Sequence, residues 1–248
     1  MAERVILITG GAKRLGAEMT KLFINSGYYV LIHVRTSHAD AEHLLEEAKA
    51  RHHRNCGDVL QADLSTTEGA LHLLNAVHNH PLVTENGLFG LIHNASFYHP
   101  IDIHELQTKD MDDLYGLHMR TPLLLSTGLF DDLVHGEGSI IGIIDTSWKR
   151  HWKGMTHYTA SKAGLRQMLT NLAGEFSPRV RVNMIGPGAI LAADWEEEHF
   201  KNVLRQVPLG RAGEPIDIAK SALHFLQTGH LNGEFLAVDG GWDLNMNQ

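Results

Sequence analysis

Short runs of β-branched and aliphatic residues alternate along the chain with segments whose apolar residues recur at helical spacing. The first run, RVILIT at 4–9, predicts a buried strand, and the turn GGAKRLG follows it. Residues 17–27 carry Met19, Leu22 and Phe23 on one helical face and stop at Gly27. YYVLIHV (28–34) predicts a second strand, 39–52 a helix, DVLQADL (58–64) a third strand and 66–78 a helix. GLFGLIHNA (87–95) predicts a fourth strand, 108–135 one long helical region, 139–144 a fifth strand and 156–176 a further long helix. RVRVNMIGPG (179–188) predicts a sixth strand closed by Pro and Gly, 215–226 a helix and EFLAVDGG (234–241) a last strand.

Strand and helix thus alternate about seven times with no linker, which predicts one α/β domain over 1–248. Its core would be a seven-stranded parallel sheet covered by helices on both faces. In such sheets ligands bind beyond the carboxyl ends of the strands. The residues to watch are therefore Gly10 to Gly16, Arg35, Asp63, Asn94 to Tyr98, Asp145 and Pro187.

Composition narrows the function classes. The net charge is -8 with a pI near 6.1, and the one basic cluster is RHHR at 51–54, which argues against nucleic acid as a partner. Cys56 is the single cysteine, so an internal disulfide and a multi-cysteine zinc site are excluded. The segment MAERVILITG is too short for a secretory signal and no eighteen-residue apolar run exists, so a cytoplasmic protein with no membrane segment is expected. Eighteen histidines are present, but His52 and His53 are adjacent and His78 and His80 are two apart, which does not match helical zinc spacing. No metal is expected.

TGGAKRLG sits between the first strand and the first helix. Glycines there let the backbone approach a pyrophosphate, and the helix N-terminus favours its charge. Arg14 stands where the usual dinucleotide pattern has another glycine and would add a cationic fork. The second strand ends HVRTS, with Arg35 and Ser37 and no acid until Asp40. An acid at that end would select NAD, whereas cations and donors suit a 2'-phosphate, so NADP(H) is the expected cofactor.

Tyr158 and Lys162 lie four residues apart at the start of a helix, on one face. A phenol with an ordinary pKa of ~10 donates its proton readily only when its conjugate base is stabilised, and a lysine one turn away does that.

On these residues the chain resembles the short-chain dehydrogenase/reductase family, over nearly its whole length. The marks are TGGAKRLG with Gly10, Gly11 and Gly16, ADL at Asp63, HNAS at Asn94, YTASK at Tyr158 to Lys162, NMIGPG at Asn183 to Gly188, PLGRAGEP and VDGG. The resemblance implies a Rossmann fold. It also implies a cofactor site formed by Gly10, Lys13, Arg14, Leu15, Gly16, His33, Arg35, Ser37, Asp63, Leu64, Asn94, Ala95, Ser96, Tyr158, Lys162, Pro187 and Gly188. Asp63 would meet the adenine, and Pro187 and Gly188 the nicotinamide side. Homotetramers are common in the family, with the helical regions 108–135 and 156–176 as contact surfaces.

Two positions depart from the family pattern. Asp145 stands thirteen residues before the tyrosine, where a serine is usual, and Ser147 is two residues out of register. His118 occupies the place of an asparagine that supports a proton relay, and a histidine can still pass protons. Together with Arg14 and an aromatic after NAS, these departures resemble the pteridine reductases, the bacterial dihydromonapterin reductases among them. The resemblance implies NADPH-dependent reduction of a dihydropterin (dihydromonapterin, dihydrobiopterin or dihydrofolate), with Asp145, Tyr158 and Lys162 catalytic. An aspartate there can accept from ring or amino N–H groups or relay a proton to a ring nitrogen. It could equally cap the turn before Trp148. Phe97 or Tyr98 would stack on the flat substrate. Trp148, Trp152 and Trp195 are further candidates, and 190–204 could form a lid. The rival readings are a reductase of a ketone, such as a ketoacyl thioester or a sugar, and a non-catalytic NADP(H)-binding regulator.

Overall fold

Val5 and Leu7 of the first strand pack into one apolar cluster, and Ile6 and Ile8 pack into another. This two-residue alternation, with every residue buried, is what a central strand covered on both faces requires. A computed structural model describes residues 3–192 and 196–247 of the chain. Seven strands, β1 (Val5–Thr9), β2 (Tyr29–Val34), β3 (Gly57–Gln61), β4 (Gly90–His93), β5 (Ser139–Ile143), β6 (Arg181–Pro187) and β7 (Phe235–Val238), form one sheet in the order β3-β2-β1-β4-β5-β6-β7. Every pairing is parallel. The chain runs outward from β1 to β3 and returns to place β4 beside β1, so the order reverses between those two strands and opens a crevice above them.

Helices α1 (Arg14–Asn25), α2 (His38–His52) and α10 (Pro215–Gln227) cover one face through Met19, Phe23, Ala41, Ile218 and Phe225. Helix α3 (Thr67–His78), α4 (Pro81–Asn86), α5 (Thr108–Tyr115), α6 (Thr121–Gly128), α7 (Phe130–His135) and α8 (Thr156–Glu175) lie on the other. Leu73, Val83, Leu125, Leu133, Leu165 and Leu169 bury their apolar stripe against Val5, Leu7, Leu31 and Leu91. Truncating Leu7 or Ile8 to alanine would leave a cavity costing roughly 2–5 kcal/mol. Helix α9 (Glu197–Leu204) stands apart, its Val203 packing on Ala189 and Val207.

The structure departs from the sequence expectation at several element bounds, β3, β4 and β7 being shorter than expected, and most tellingly among the helices. Helix α1 begins at Arg14, three residues earlier than the apolar spacing indicated, because the glycine turn winds directly into it. The region 108–135 is not one helix: a π-helical turn, Gly116–Arg120, separates α5 from α6, and α7 follows a break at Leu129. A side chain at Gly116 would meet the Ser65 carbonyl oxygen at 2.3 Å, so the helix passes close to that loop only at a glycine. Helix α4 was not indicated at all; six residues are too few for periodicity, and Pro81 at its first turn is its one signal.

Candidate active site

The glycine turn is tied to the end of β4. Asn94 Nδ2 donates to the carbonyls of Thr9 (2.9 Å) and Gly10 (3.0 Å), and Thr9 Oγ1 accepts from the Asn94 and Ala95 amides at 2.9 and 3.0 Å. Gly10 has φ +65, and a Cβ on Gly16 would lie 2.0 Å from the Gly10 carbonyl oxygen, so both positions need glycine. The N-terminus of α1 has no side-chain cap and no acid in its first turn, which leaves its amides and its positive dipole end turned to the crevice.

His33, at the end of β2, accepts from the Gly10 amide at Nδ1 (3.1 Å) and donates from Nε2 to the Ala62 carbonyl (3.1 Å). Burial pushes its pKa down to about 4, so the ring is neutral and braces the turn from below. Arg35 and Ser37 line the crevice beside it, and Lys13 pairs with Asp40 at 3.1 Å. The Asp63 carboxylate accepts from the Ser65 amide (3.0 Å) and hydroxyl (2.7 Å), which holds its pKa below the usual range. Arg14 has φ +51, and its guanidinium donates to the carbonyls of Leu191 (2.7 Å) and Ala192 (3.1 Å). The fork expected for a phosphate therefore holds the segment that follows β6.

Asp145 follows β5 and uses both carboxylate oxygens. Oδ1 accepts from the Ser147 amide at 2.7 Å and caps the short 3-10 turn Thr146–Lys149; Oδ2 accepts from the Tyr158 phenol at 2.9 Å. The expected cap is present, and the same side chain also touches the Tyr158 phenol. Lys162, one turn after Tyr158 on α8, donates to the Ile143 carbonyl at 3.0 Å. Burial lowers its pKa to about 8, while burial first and the Asp145 carboxylate second raise the Tyr158 phenol well above its ordinary value. The phenol is therefore neutral and donates to Asp145.

His118 projects from the π-helical turn. Its Nδ1 is 2.8 Å from Ser161 Oγ and its Nε2 is 3.0 Å from Ser96 Oγ, and Ser161 in turn donates to the Tyr158 carbonyl (2.7 Å). Burial holds the imidazole well below its ordinary pKa. Both ring nitrogens at the expected relay position are thus engaged by serine hydroxyls.

All the residues expected at the cofactor and substrate sites line one cleft of about 370 Å³, within the range of small-molecule sites. Sequence reasoning missed Val34, Thr36, Ser65, Leu117, Ile143 and Ile144 on its walls, while Ala12 falls in the expected glycine turn and Ile190 and Leu191 in the expected lid segment. Most are neighbours of expected residues at strand ends, a signal that could have found them; Leu117 carried none. Phe97 and Tyr98 both face the cleft, but Phe97 also packs into the large core. Tyr98 lies 5.2 Å, ring to ring, from Tyr158 and 6.0 Å from Trp152, and its hydroxyl donates to Glu196 at 3.2 Å. Trp152 stacks on His199 of α9 at 5.5 Å, so the helix after β6 closes one side of the aromatic wall. Trp148 packs away from the cleft, beneath Arg166 and against Phe235, and Ser147 is buried behind Asp145. Trp195 lies outside the described residues. Among the described residues no group of three His, Cys, Asp or Glu could hold a metal ion, and no helix is long and apolar enough to cross a membrane.

Residues 4–203 match the family model described as short chain dehydrogenase. The chain is 31% identical over 253 residues to the 2,5-dichloro-2,5-cyclohexadiene-1,4-diol dehydrogenase LinX of Sphingobium indicum, covering 99% of this chain and 98% of that one. It is 29% identical over 252 residues to the dihydromonapterin reductase of Enterobacter sp. (strain 638), covering 98% of each. Among solved structures it is similar to FolM alternative dihydrofolate reductase 1 of Brucella canis, complexed with NADP, with a TM-score of 0.88 and 27% identity over 100% of this chain and 96% of that one. The glycine turn at the crevice, the Tyr158–Lys162 pair and a match over most of the length converge: the chain is an oxidoreductase and belongs to the short chain dehydrogenase family.

Proposed function

We propose that the protein is a cytoplasmic, NADPH-dependent reductase of a dihydropterin, forming the tetrahydro compound from dihydromonapterin, dihydrobiopterin or dihydrofolate. The observation that carries this is the 2.9 Å hydrogen bond from the Tyr158 phenol to Asp145. A ketone oxygen only accepts hydrogen bonds, and beside this phenol it would also face a carboxylate. A pterin ring presents N–H and amino donors, for which Asp145 is a natural acceptor. The dihydromonapterin reductases and FolM among its relatives support the same reading.

The residues present fit NADP(H). The uncapped start of α1 and the glycine cradle suit a pyrophosphate, and Arg35 and Ser37 after β2, with Lys13 of the glycine turn, suit a 2'-phosphate. When bound, the cofactor supplies a hydride. The chain's own part is to bind the pterin against Tyr98, to accept its N–H groups at Asp145 and to deliver a proton from Tyr158. Lys162 lowers the cost of the phenolate left behind. Ring stacking on Tyr98, rather than Phe97, follows from its place beside the phenol.

A homotetramer is part of this reading. Met111 and Tyr115 of α5 and Leu123 of α6 are exposed at 49%, 58% and 42%, an apolar face that a second copy would cover. Light scattering tests it, a monomer at micromolar concentration being the contrary result.

A second reading, a reductase of carbonyl substrates, is favoured by the likeness to a diol dehydrogenase. NADPH oxidation in the presence of each dihydropterin and of a ketoacyl thioester separates the two. Turnover of a dihydropterin supports the proposal, and turnover of the thioester alone overturns it. Tight NADPH binding with no NADPH oxidation in the presence of any of these substrates would indicate a regulator.

A further inference from the structure

The donors and acceptors around His118 can be assigned one by one. The Tyr158 carbonyl only accepts, so the hydrogen in its 2.7 Å contact with Ser161 Oγ belongs to the serine. Ser161 Oγ has then used its one hydrogen and must accept at its 2.8 Å contact with His118 Nδ1, which places a proton on Nδ1. His118 is 1% exposed and near Lys162, which disfavours a second proton on the ring. Nε2 therefore carries a lone pair, and the hydrogen in its 3.0 Å contact with Ser96 Oγ belongs to Ser96.

We infer that His118 is a positioning residue: by holding the Ser96 hydrogen it turns the Ser96 hydroxyl into an acceptor on the wall of the cleft. Every donor in the chain Ser96, His118, Ser161, Tyr158 carbonyl points the same way, into the helix and away from the cleft. Ser96 is exposed there, among the lining residues that include Asp145 and Tyr158. Ser96 also lies within hydrogen-bonding reach of the Tyr158 phenol, and with its own hydrogen on His118 it can only accept there; the wall then offers one donor, the phenol that Asp145 holds, and two acceptors, Asp145 and Ser96. This arrangement selects a ring bearing N–H groups and disfavours a second acceptor such as a ketone oxygen. The inference deepens the proposed function and, for the nature of the substrate, rests on it. The π-helical turn at Gly116–Arg120 is the structural means, since it sets His118 between two serines 22 and 43 residues away in sequence.

The direct test is the tautomer of His118 in the full-length protein. Nitrogen-15 histidine labelling with a long-range proton–nitrogen correlation at pH 7, assigned by difference from His118→Asn, reads it without any substrate. The expected result is a neutral ring protonated at Nδ1. An Nε2-protonated ring or an imidazolium overturns the inference, because Ser96 would then be free to donate into the cleft. Kinetics give a second readout. Asparagine can donate on one side and accept on the other, so His118→Asn keeps most dihydropterin turnover. His118→Leu releases the Ser96 hydrogen and raises KM for the dihydropterin by about tenfold, the loss of one hydrogen bond, with a smaller change in kcat. Equal KM values for the asparagine and leucine variants would also overturn it. The expected tautomer in an enzyme that turns over no pterin would instead sink the substrate assignment alone, so the two failures are distinguishable.

Discussion

Asp145 and Tyr158, thirteen residues apart in the chain, share a 2.9 Å hydrogen bond in which the phenol donates and the carboxylate accepts. The bond exists because β5 ends at the cleft and α8 begins beside it, so Asp145, just beyond the strand, meets the helix's first turn. It sets the polarity of the site, and the following expectations derive from it and from its surroundings.

Removing the phenol oxygen removes the proton donor. Tyr158→Phe is expected to lower kcat for a dihydropterin by roughly 10²–10⁴, the usual worth of a positioned general acid. Steady-state NADPH oxidation measures it, and a variant retaining more than about a tenth of the rate would exclude the role of Tyr158.

Lys162 makes the rate pH-dependent. Only the charged ammonium stabilises a phenolate, and burial lowers its pKa to about 8, so kcat is expected to fall as pH rises through about 8. The stability effect has the opposite direction. The folded state holds fewer protons than the unfolded state between about 8 and the ordinary 10.5, so the lysine's contribution to stability rises with pH across that window. Lys162→Met should therefore be inactive yet melt higher than the parent at pH 7, with the gap closing towards pH 10. Differential scanning calorimetry at both pH values checks this.

Three buried neutral histidines make the fold acid-labile. Burial lowers His33 to about 4, His93 to about 3 and His118 well below its ordinary value. Unfolding restores values near 6.5, so the unfolded chain takes up protons that the folded one does not. Stability is full above about pH 6.5 and is lost as pH falls towards 4, with a slope of up to roughly 4 kcal/mol per pH unit if all three stay neutral. Urea unfolding between pH 5 and 7 gives the slope. A stability independent of pH over that range would contradict the buried, neutral assignment.

Cofactor choice is placed at the end of β2. Arg35 lines the cleft with Asp63 within reach of its charge, and Asp40, the first acid after β2 in sequence, is paired with Lys13. Arg35→Asp is expected to weaken NADPH relative to NADH by tenfold or more, measured as the ratio of kcat/KM values; an unchanged ratio would move the 2'-phosphate site elsewhere.

Much of this was legible in the sequence, because strand ends of a parallel sheet are where ligands bind and the polar residues there are few. Asp63, Asn94, Asp145 and Pro187 all line the cleft for that reason. What was not legible depends on long-range contacts. Nothing near Arg14 in sequence indicates that its fork reaches Leu191 and Ala192, some 177 positions away. Nothing in LYGLHMRTP announces a π-helical turn, nor that Gly116 passes close to the Ser65 carbonyl, a contact with a residue 51 positions earlier. The partners of His118 likewise became visible only when α8 and the end of β4 were brought together.

The most direct measurement is the substrate preference of Asp145→Ser. Turnover of a dihydropterin and of a ketoacyl thioester, each with NADPH, is compared in parent and variant. If the carboxylate beside Tyr158 selects an N–H-bearing ring, the variant loses dihydropterin turnover and gains reduction of the ketone. Unchanged rates with both substrates would contradict the role assigned to Asp145 and with it the pterin reading.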